Sequence, residues 1–437
     1  MIEIKPTRFI TLYIIAYLIV GTLYATQTPA WQAPDEPAHY NYVRQLAHGR
    51  FPLMEPRDYN QAYQSEVISN QFAAEYDLTN FSFSYEDYQP PLYYLLQTPV
   101  FWLSGGSLIA MRLMGVLLGA ATLFVAHLVW RELFPDRPWL GFTALAFFAF
   151  LPQHIAIQAS MNNDSLGELL IALALWLTLK QENGRTRPQQ IPLIAVLGAA
   201  LLTKVTAYLV FPAVGLVILW RHRPHWATAI WEGIKLFVPA LLIGAIWWVR
   251  NLMVYGWPDF LGIQIHDEVV VGQVTTAEWI DQFGLSELLS RFAQTTFRSF
   301  WGQFGWMGVV MPSWVYQILA VFTTLVFIGW LVWLCVPAVR NSPRLPPSTQ
   351  ILFTTLFILN LLLYFTYNLT YVQHQGRYLF AALIPISTAV AFGIATYTRW
   401  ITDRWPPAQH LIPTGFAIAL IGLDLLALFR FIVPALS

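Results

Sequence analysis

Apolar runs long enough to cross a bilayer recur from end to end of this 437-residue chain. A membrane-spanning helix needs about 20 such residues, and no soluble domain of useful size fits between the runs. Hydrophobic residues make up 57% of the sequence and charged residues only 11%, against about 25% in a soluble domain. The expected fold is therefore all-α and polytopic. Formal net charge is zero, which gives no basis for nucleic-acid binding. The single cysteine, Cys335, lies inside an apolar run, which excludes disulfides and cysteine metal sites. Many Trp and Tyr residues sit near the ends of the runs, as membrane interfaces favour.

The first run, Phe9 to about Gln27, follows Lys5 and Arg8. It exceeds the usual apolar core of a signal peptide, about 7–15 residues, and reads as a retained anchor. A polar loop over 28–90 follows, carrying Glu55, Asp58, Glu66, Glu75, Asp77, Glu86 and Asp87. Further spans are expected near 107–130, 139–157 and 164–180, then a hairpin of two short apolar pieces hinged at Thr203-Lys204, and a span near 231–249. A second long loop covers 251–312, within which Ala277–Trp301 reads as one amphipathic interfacial helix. Spans near 314–336, 351–369, 378–396 and 411–433 complete a single membrane domain over 1–437, with about eleven crossings in all.

Basic residues fix the orientation. With the N-terminus cytoplasmic, the cytoplasmic connections collect Lys5, Arg8, Arg131, Arg137, Lys180, Arg185, Arg187, Arg221, Arg223, Arg340, Arg344, Arg399 and Arg404, more than half of the 24 basic residues. Both long loops then face outside, in a protein integral to the cytoplasmic membrane.

The stretch Ala33-Pro34-Asp35-Glu36-Pro37-Ala38-His39-Tyr40 places two adjacent carboxylates and a histidine where the chain leaves the first span. Pro37 suits the first position of a helix running to about His48, and Gly49 suits the residue beyond its end. On that ground alone Asp35 and Glu36 are helix caps. Other costly groups gather on the same side, however: His154, Asp164, Lys204, Arg250, His374 and Arg377. Each has a plainer explanation. Arg250 and Arg377 can snorkel to headgroups, Asp164 can cap a helix, Lys204 can be a hairpin-tip charge, and the histidines can be hydrogen-bonded interface residues. Jointly they describe a site that binds an anion and activates a nucleophile.

Outside the membrane neither ATP nor nucleotide sugars are supplied, and the sequence has no Gly-rich phosphate loop. A sugar on a polyprenyl phosphate is available there. Lys204, Arg250 and Arg377 would neutralise its phosphate as it leaves. Glycosyl transfer passes through an oxocarbenium-like state, so Asp35 or Glu36 can act as base at an ordinary carboxylate pKa, with inversion in a single displacement.

These features resemble the GT-C superfamily of polyprenyl-phosphate-sugar glycosyltransferases, above all the protein O-mannosyltransferases and lipid A aminoarabinose transferases. The likeness is carried by Asp35-Glu36, by Gln89-Pro90-Pro91-Leu92-Tyr93-Tyr94, by Asn163-Asp164-Ser165-Leu166 and by Leu202-Thr203-Lys204, and is strongest over 9–220. Pro34–His39, Trp248–Asn251, Ser299–Met307 and Gln375–Phe380 together resemble a narrower family of bacterial membrane proteins with no assigned function.

The resemblance implies a GT-C bundle, Asp35 with Glu36 as catalytic base, and Asp164 as a supporting or metal-proximal acid. His39, His154, His374, Gln89 and Tyr93 are candidates for substrate or metal contact, and Gln89 stands where many relatives carry His. No cofactor is expected to be required; a divalent ion such as Mg, Mn or Zn is left open. The partners implied are the donor lipid, a lipid, glycan or protein acceptor, and membrane lipids. A flippase for a lipid-linked sugar would use the same basic pocket, but the paired halves common in transporters are not visible. A non-catalytic envelope scaffold leaves the cations at membrane depth unexplained.

Overall fold

The computed structural model describes residues 6–78, 82–182, 190–336 and 345–437. Lys5, Arg185, Arg187, Arg340 and Arg344, which entered the orientation argument, lie outside the described residues. Helix α1 (Pro6–Gln27) leads into the first loop, which carries α2 (Glu36–Ala47) and α3 (Gln61–Ser69). Then come α4 (Leu92–Ser104), α5 (Leu108–Leu133), α6 (Pro138–Ala149), α7 (Pro152–Gln158), α8 (Asp164–Glu182) and α9 (Gln190–Leu201). A 3-10 turn, Val205–Leu209, precedes α10 (Val210–Arg221) and α11 (Trp226–Tyr255).

The second loop holds α12 (Ile263–Val269), α13 (Thr276–Phe283), α14 (Leu285–Trp301) and a small antiparallel hairpin, β1 (Gln303–Phe304) with β2 (Val309–Val310). Helices α15 (Ser313–Cys335) and α16 (Pro347–Thr370) follow. A 3-10 segment, Gly376–Ala382, feeds α17 (Leu383–Arg404). The last helix, α18 (Ala408–Leu426), continues through a π-helical turn to Leu436.

Among the described residues seven helices are long and apolar enough to span, and the bent pair α6–α7 makes an eighth. The expected count of about eleven also took in α8 and the short α9 and α10, which fall outside that class. Two expected helices are broken. The span near 139–157 bends by 64° between α6 and α7, because Leu151 precedes a proline and is extended (φ −79°, ψ 117°). The single helix over Ala277–Trp301 is two, since Gly284 (φ 84°) ends α13 before α14 begins.

Two close approaches place the ends of elements that matter below. A Cβ on Gly115 of α5 would lie 2.6 Å from the Gln158 carbonyl at the end of α7, so the turn leading to Asp164 rests on α5. A Cβ on Gly376 would meet the Thr296 carbonyl at 2.3 Å and the Phe300 nitrogen at 2.5 Å, which seats the 3-10 segment against the backbone of α14. The Ser299 hydroxyl locks that contact by accepting from the Gly376 N–H at 2.7 Å. The two loops share a second, smaller hydrophobic cluster formed by Ala38, Met54, Val67, Phe72, Phe83, Tyr85, Val269 and Val270.

Gly376→Ala is therefore expected to lower the thermal unfolding temperature in detergent, by an overpacking cost of about 1–3 kcal/mol. Gly415→Ala in α18, where a Cβ meets nothing within 4 Å, is expected to leave it unchanged or raised.

Candidate active site

Asp35 and Glu36 are neighbours in sequence and opposites in surroundings. Asp35 adopts a left-handed conformation (φ 66°) that non-glycine residues rarely hold, and its side chain makes no capping bond to α2. The two carboxylates consequently diverge. Glu36 turns inward and is fully buried in a bidentate pair with Arg112 of α5, Nε to Oε1 at 2.8 Å and Nη2 to Oε2 at 2.6 Å. The Trp31 and Met161 N–H groups also donate to it, each at 3.1 Å. Arg112 spends its other donors on the carbonyls of Ala25, Thr28 and Pro29. All donors around Glu36 are thus engaged with a carboxylate that solvent does not reach, which contradicts its expected use as a catalytic base.

Asp35 turns the other way. Its Oδ2 accepts from Arg377 Nη2 at 2.8 Å, its Oδ1 accepts from the Tyr85 hydroxyl at 3.2 Å, and the side chain stays about a quarter exposed (26%). Burial pushes the Asp35 carboxyl up, but the Arg377 guanidinium, with Lys204 beyond it, outweighs that and holds it below the usual carboxylate range. Arg377 donates Nε to Gln375 Oε1 at 2.7 Å, and its buried Nη1 has no partner.

A second pair lies alongside. Lys204, at the break between α9 and the 3-10 turn, meets Asp164 at 2.6 Å, both side chains being partly exposed. The Asp164 N–H donates to Asn162 Oδ1 at 2.8 Å, and Asp164 is the first residue of α8 rather than its cap. Lys204 and Arg377 both lie within electrostatic reach of Asp164, and Lys204 also reaches Asp35. Four distant segments therefore deliver two carboxylates and two cations to one end of the bundle.

His39 borders this cluster. It is buried, exchanges a 2.9 Å hydrogen bond with the Tyr94 hydroxyl, and burial depresses its pKa to about 3, so the imidazole is neutral. Gln89 is buried, with its amide on the Tyr88 hydroxyl at 2.9 Å and its Oε1 unpartnered.

The remaining candidates go elsewhere. Arg250 grips the first loop through the Pro52 carbonyl (2.5 Å), donates to Asn251 and Tyr255 of its own helix, and lies over the Trp247 ring. That engagement removes it from the expected phosphate site. His154 pairs with Glu168 of α8 at 2.7 Å in the bundle interior. His374 is buried edge-on against Phe292 (5.1 Å). Tyr93 is fully buried and accepts from Gln97 at 3.0 Å. Among the described residues no group of three His, Cys, Asp or Glu side chains is arranged to hold a metal ion.

Three residues at the site were not singled out from sequence. Arg112 is a lone cation inside an apolar run, a signal that could have found it. Tyr85 had no distinguishing signal. Glu86 was one acid among several in the loop, yet it lies within reach of Asp35, Lys204 and Arg377. Burial, reinforced by the Asp35 charge, pushes its pKa up to about 8.

The dolichyl-phosphate-mannose-protein mannosyltransferase family model matches residues 88–248. Among solved structures, ArnT from Cupriavidus metallidurans bound to undecaprenyl phosphate superposes with a TM-score of 0.51 at 15% identity, covering 98% of this chain and 74% of that one. The S. cerevisiae protein O-mannosyltransferase Pmt1–Pmt2 complex bound to the sugar donor gives 0.41 at 17% identity, over 58% of this chain and 34% of that one. The Archaeoglobus fulgidus oligosaccharyltransferase in complex with Zn and sulfate gives 0.48 at 12%, over 94% and 52%. The chain thus spans about a third of the yeast chain and half of the archaeal one. No curated protein sequence matches it. The fold is that of the GT-C glycosyltransferases.

Breaking the buried pair leaves an uncompensated charge, at a cost of about 3–5 kcal/mol. Arg112→Met is therefore expected to lower the unfolding temperature steeply, and Arg112→Lys to restore it only in part, since a lysine cannot make the bidentate fork. Asp35→Asn is expected to cost less in the same melts, since Asp35 is about a quarter exposed and the amide oxygen still accepts from Arg377.

Proposed function

We infer that this chain, a membrane glycosyltransferase of the GT-C superfamily, moves a sugar from a polyprenyl-phosphate donor to a hydroxyl on a lipid, glycan or protein acceptor, inverting the anomeric centre, on the extracytoplasmic face of the cytoplasmic membrane. The observation that carries this reading is the pairing of Asp35 with a buried Arg377 beside the partly exposed pair of Asp164 with Lys204.

A phosphodiester donor brings one negative charge. The unpartnered Nη1 of Arg377 and the Lys204 ammonium are its natural ligands, as charge-assisted donors aimed at an anion. In the transfer step the acceptor oxygen forms a bond to the anomeric carbon while the bond from that carbon to the phosphate oxygen breaks. The electron pair leaves with the phosphate, where the two cations stabilise the added charge. The acceptor proton passes to Asp35, which is ionised at neutral pH because of Arg377. Proton transfer is late in an oxocarbenium-like displacement, so a weak base suffices if it is well placed. Asp164 holds Lys204 in position. Glu36 acts only by anchoring the turn that presents Asp35.

With purified protein, a polyprenyl-phosphate sugar donor and a membrane extract supplying acceptor, Asp35→Asn is expected to reduce transfer by about 10²–10⁴-fold while donor binding persists. Full transfer by Asp35→Asn would overturn the assignment. Lys204→Met and Arg377→Met are each expected to weaken donor binding by about tenfold or more, from loss of a hydrogen bond to a charged group; unchanged affinity in both would remove them from the site. Because these two cations supply the positive charge, transfer is expected to survive treatment with EDTA, and a loss restored by one divalent ion would assign that role to a metal.

A further inference from the structure

Glu86 is not needed in the reaction just described, yet its placement is tightly controlled. The turn over 84–89 is closed by Asp87 N–H on the Ser84 carbonyl and Gln89 N–H on the Glu86 carbonyl, each at 3.0 Å. Helix α2 fixes this turn from one side: Gln45 donates to Asp87 Oδ2 at 2.7 Å, and the Tyr42 hydroxyl donates to the Gln89 carbonyl at 3.1 Å. Asp87 is thereby held toward α2 through Oδ2, its Oδ1 unpartnered. Glu86 faces the charge cluster instead, with Asp35, Lys204 and Arg377 as the charged groups within reach and the Gln89 amide beside it. Its other neighbours are phenols, those of Tyr85, Tyr88, Tyr94 and Tyr367.

The two cations already have their nearest carboxylates in Asp35 and Asp164, at 2.8 and 2.6 Å. A third carboxylate would leave the site with an uncompensated negative charge, and Glu86 Oε2 is buried with no hydrogen-bond partner. When carboxylates share a site, the one without a cation of its own takes the proton. An acid in that state carries an O–H donor, and Glu86 Oε2 makes no hydrogen bond within the protein.

Building on the phosphate site inferred above, we propose that Glu86 is a further binding residue of the reaction: a carboxylic acid whose O–H donates to a phosphate oxygen of the polyprenyl lipid, between Lys204 and Arg377. The two cations supply charge; Glu86 supplies direction, through a donor that orients one oxygen and grows stronger as charge accumulates on the departing phosphate. The same group repels the phosphate once it ionises, so the grip loosens as pH rises through the value at which Glu86 loses its proton.

The test uses the full chain in detergent with undecaprenyl phosphate as the probe, its affinity being measured at pH 7 and pH 9. The second ionisation of a phosphate monoester, near pH 6, is largely complete at the lower pH and does not enter. Wild type is expected to lose affinity about tenfold across this interval, the worth of one hydrogen bond to a charged group. Glu86→Gln keeps a neutral donor of the same shape and is expected to bind at pH 7 without weakening toward pH 9. Glu86→Ala is expected to bind about tenfold more weakly at pH 7. Thermal melts of each variant confirm that it is folded. Glu86→Ala binding as wild type does, with wild type and Glu86→Gln sharing one pH profile, would overturn the proposal. Wild-type affinity in both Lys204→Met and Arg377→Met would instead bring down the phosphate site beneath it.

Discussion

The buried pair between Glu36 and Arg112 is the constraint on which the rest of the site depends. It ties the first residue of α2 to the N-terminal part of a spanning helix, Arg112 of α5, through two short charge-assisted bonds. Around it, the carbonyls of Ala25, Thr28 and Pro29 pin the end of α1 to the same guanidinium. With both flanks fixed, Asp35 is left on a left-handed turn that points its carboxylate away from the core. Backbone strain of this kind persists only where the surroundings over-determine it. Here they do, and the result is one carboxylate sealed in the bundle next to one facing Arg377.

The charge cluster at this end of the bundle draws on several distant segments. Asp164 follows a turn braced by Gly115, Lys204 occupies the break after α9, and Arg377 rides on a 3-10 segment seated on α14 through Gly376. None of these positions lies in the interior of a regular helix. Each is at an element's edge, where backbone direction changes and a long side chain can reach across. Deeper in the bundle, His154 pairs instead with Glu168 of α8.

Much of this was legible in sequence. Apolar runs located most of the helices, and the costly ionisable residues at their ends marked Asp35, Asp164, Lys204 and Arg377. What sequence could not separate was charge that converges from charge that is spent locally. Arg250 and Arg377 look alike at the end of an apolar run. Arg250 is captured by the Pro52 carbonyl, a contact almost two hundred residues away in the chain, and only tertiary structure decides that. Adjacent Asp35 and Glu36 were equivalent until the backbone conformation at Asp35 set them apart. Arg112 lies in a run whose length alone marks it as a span, although an isolated arginine in such a run almost always faces a partner. The bend at Leu151 and the break at Gly284 were readable from the following proline and from glycine itself.

The central claim is that the two carboxylate–cation pairs form the cradle for the lipid phosphate. The most direct measurement is a cryo-EM structure of the full chain with undecaprenyl phosphate added. The account predicts phosphate density between Lys204 and Arg377, close to Asp35 and far from Arg250. Phosphate seated at Arg250, with the Asp35–Arg377 and Asp164–Lys204 pairs closed and untouched, would contradict it.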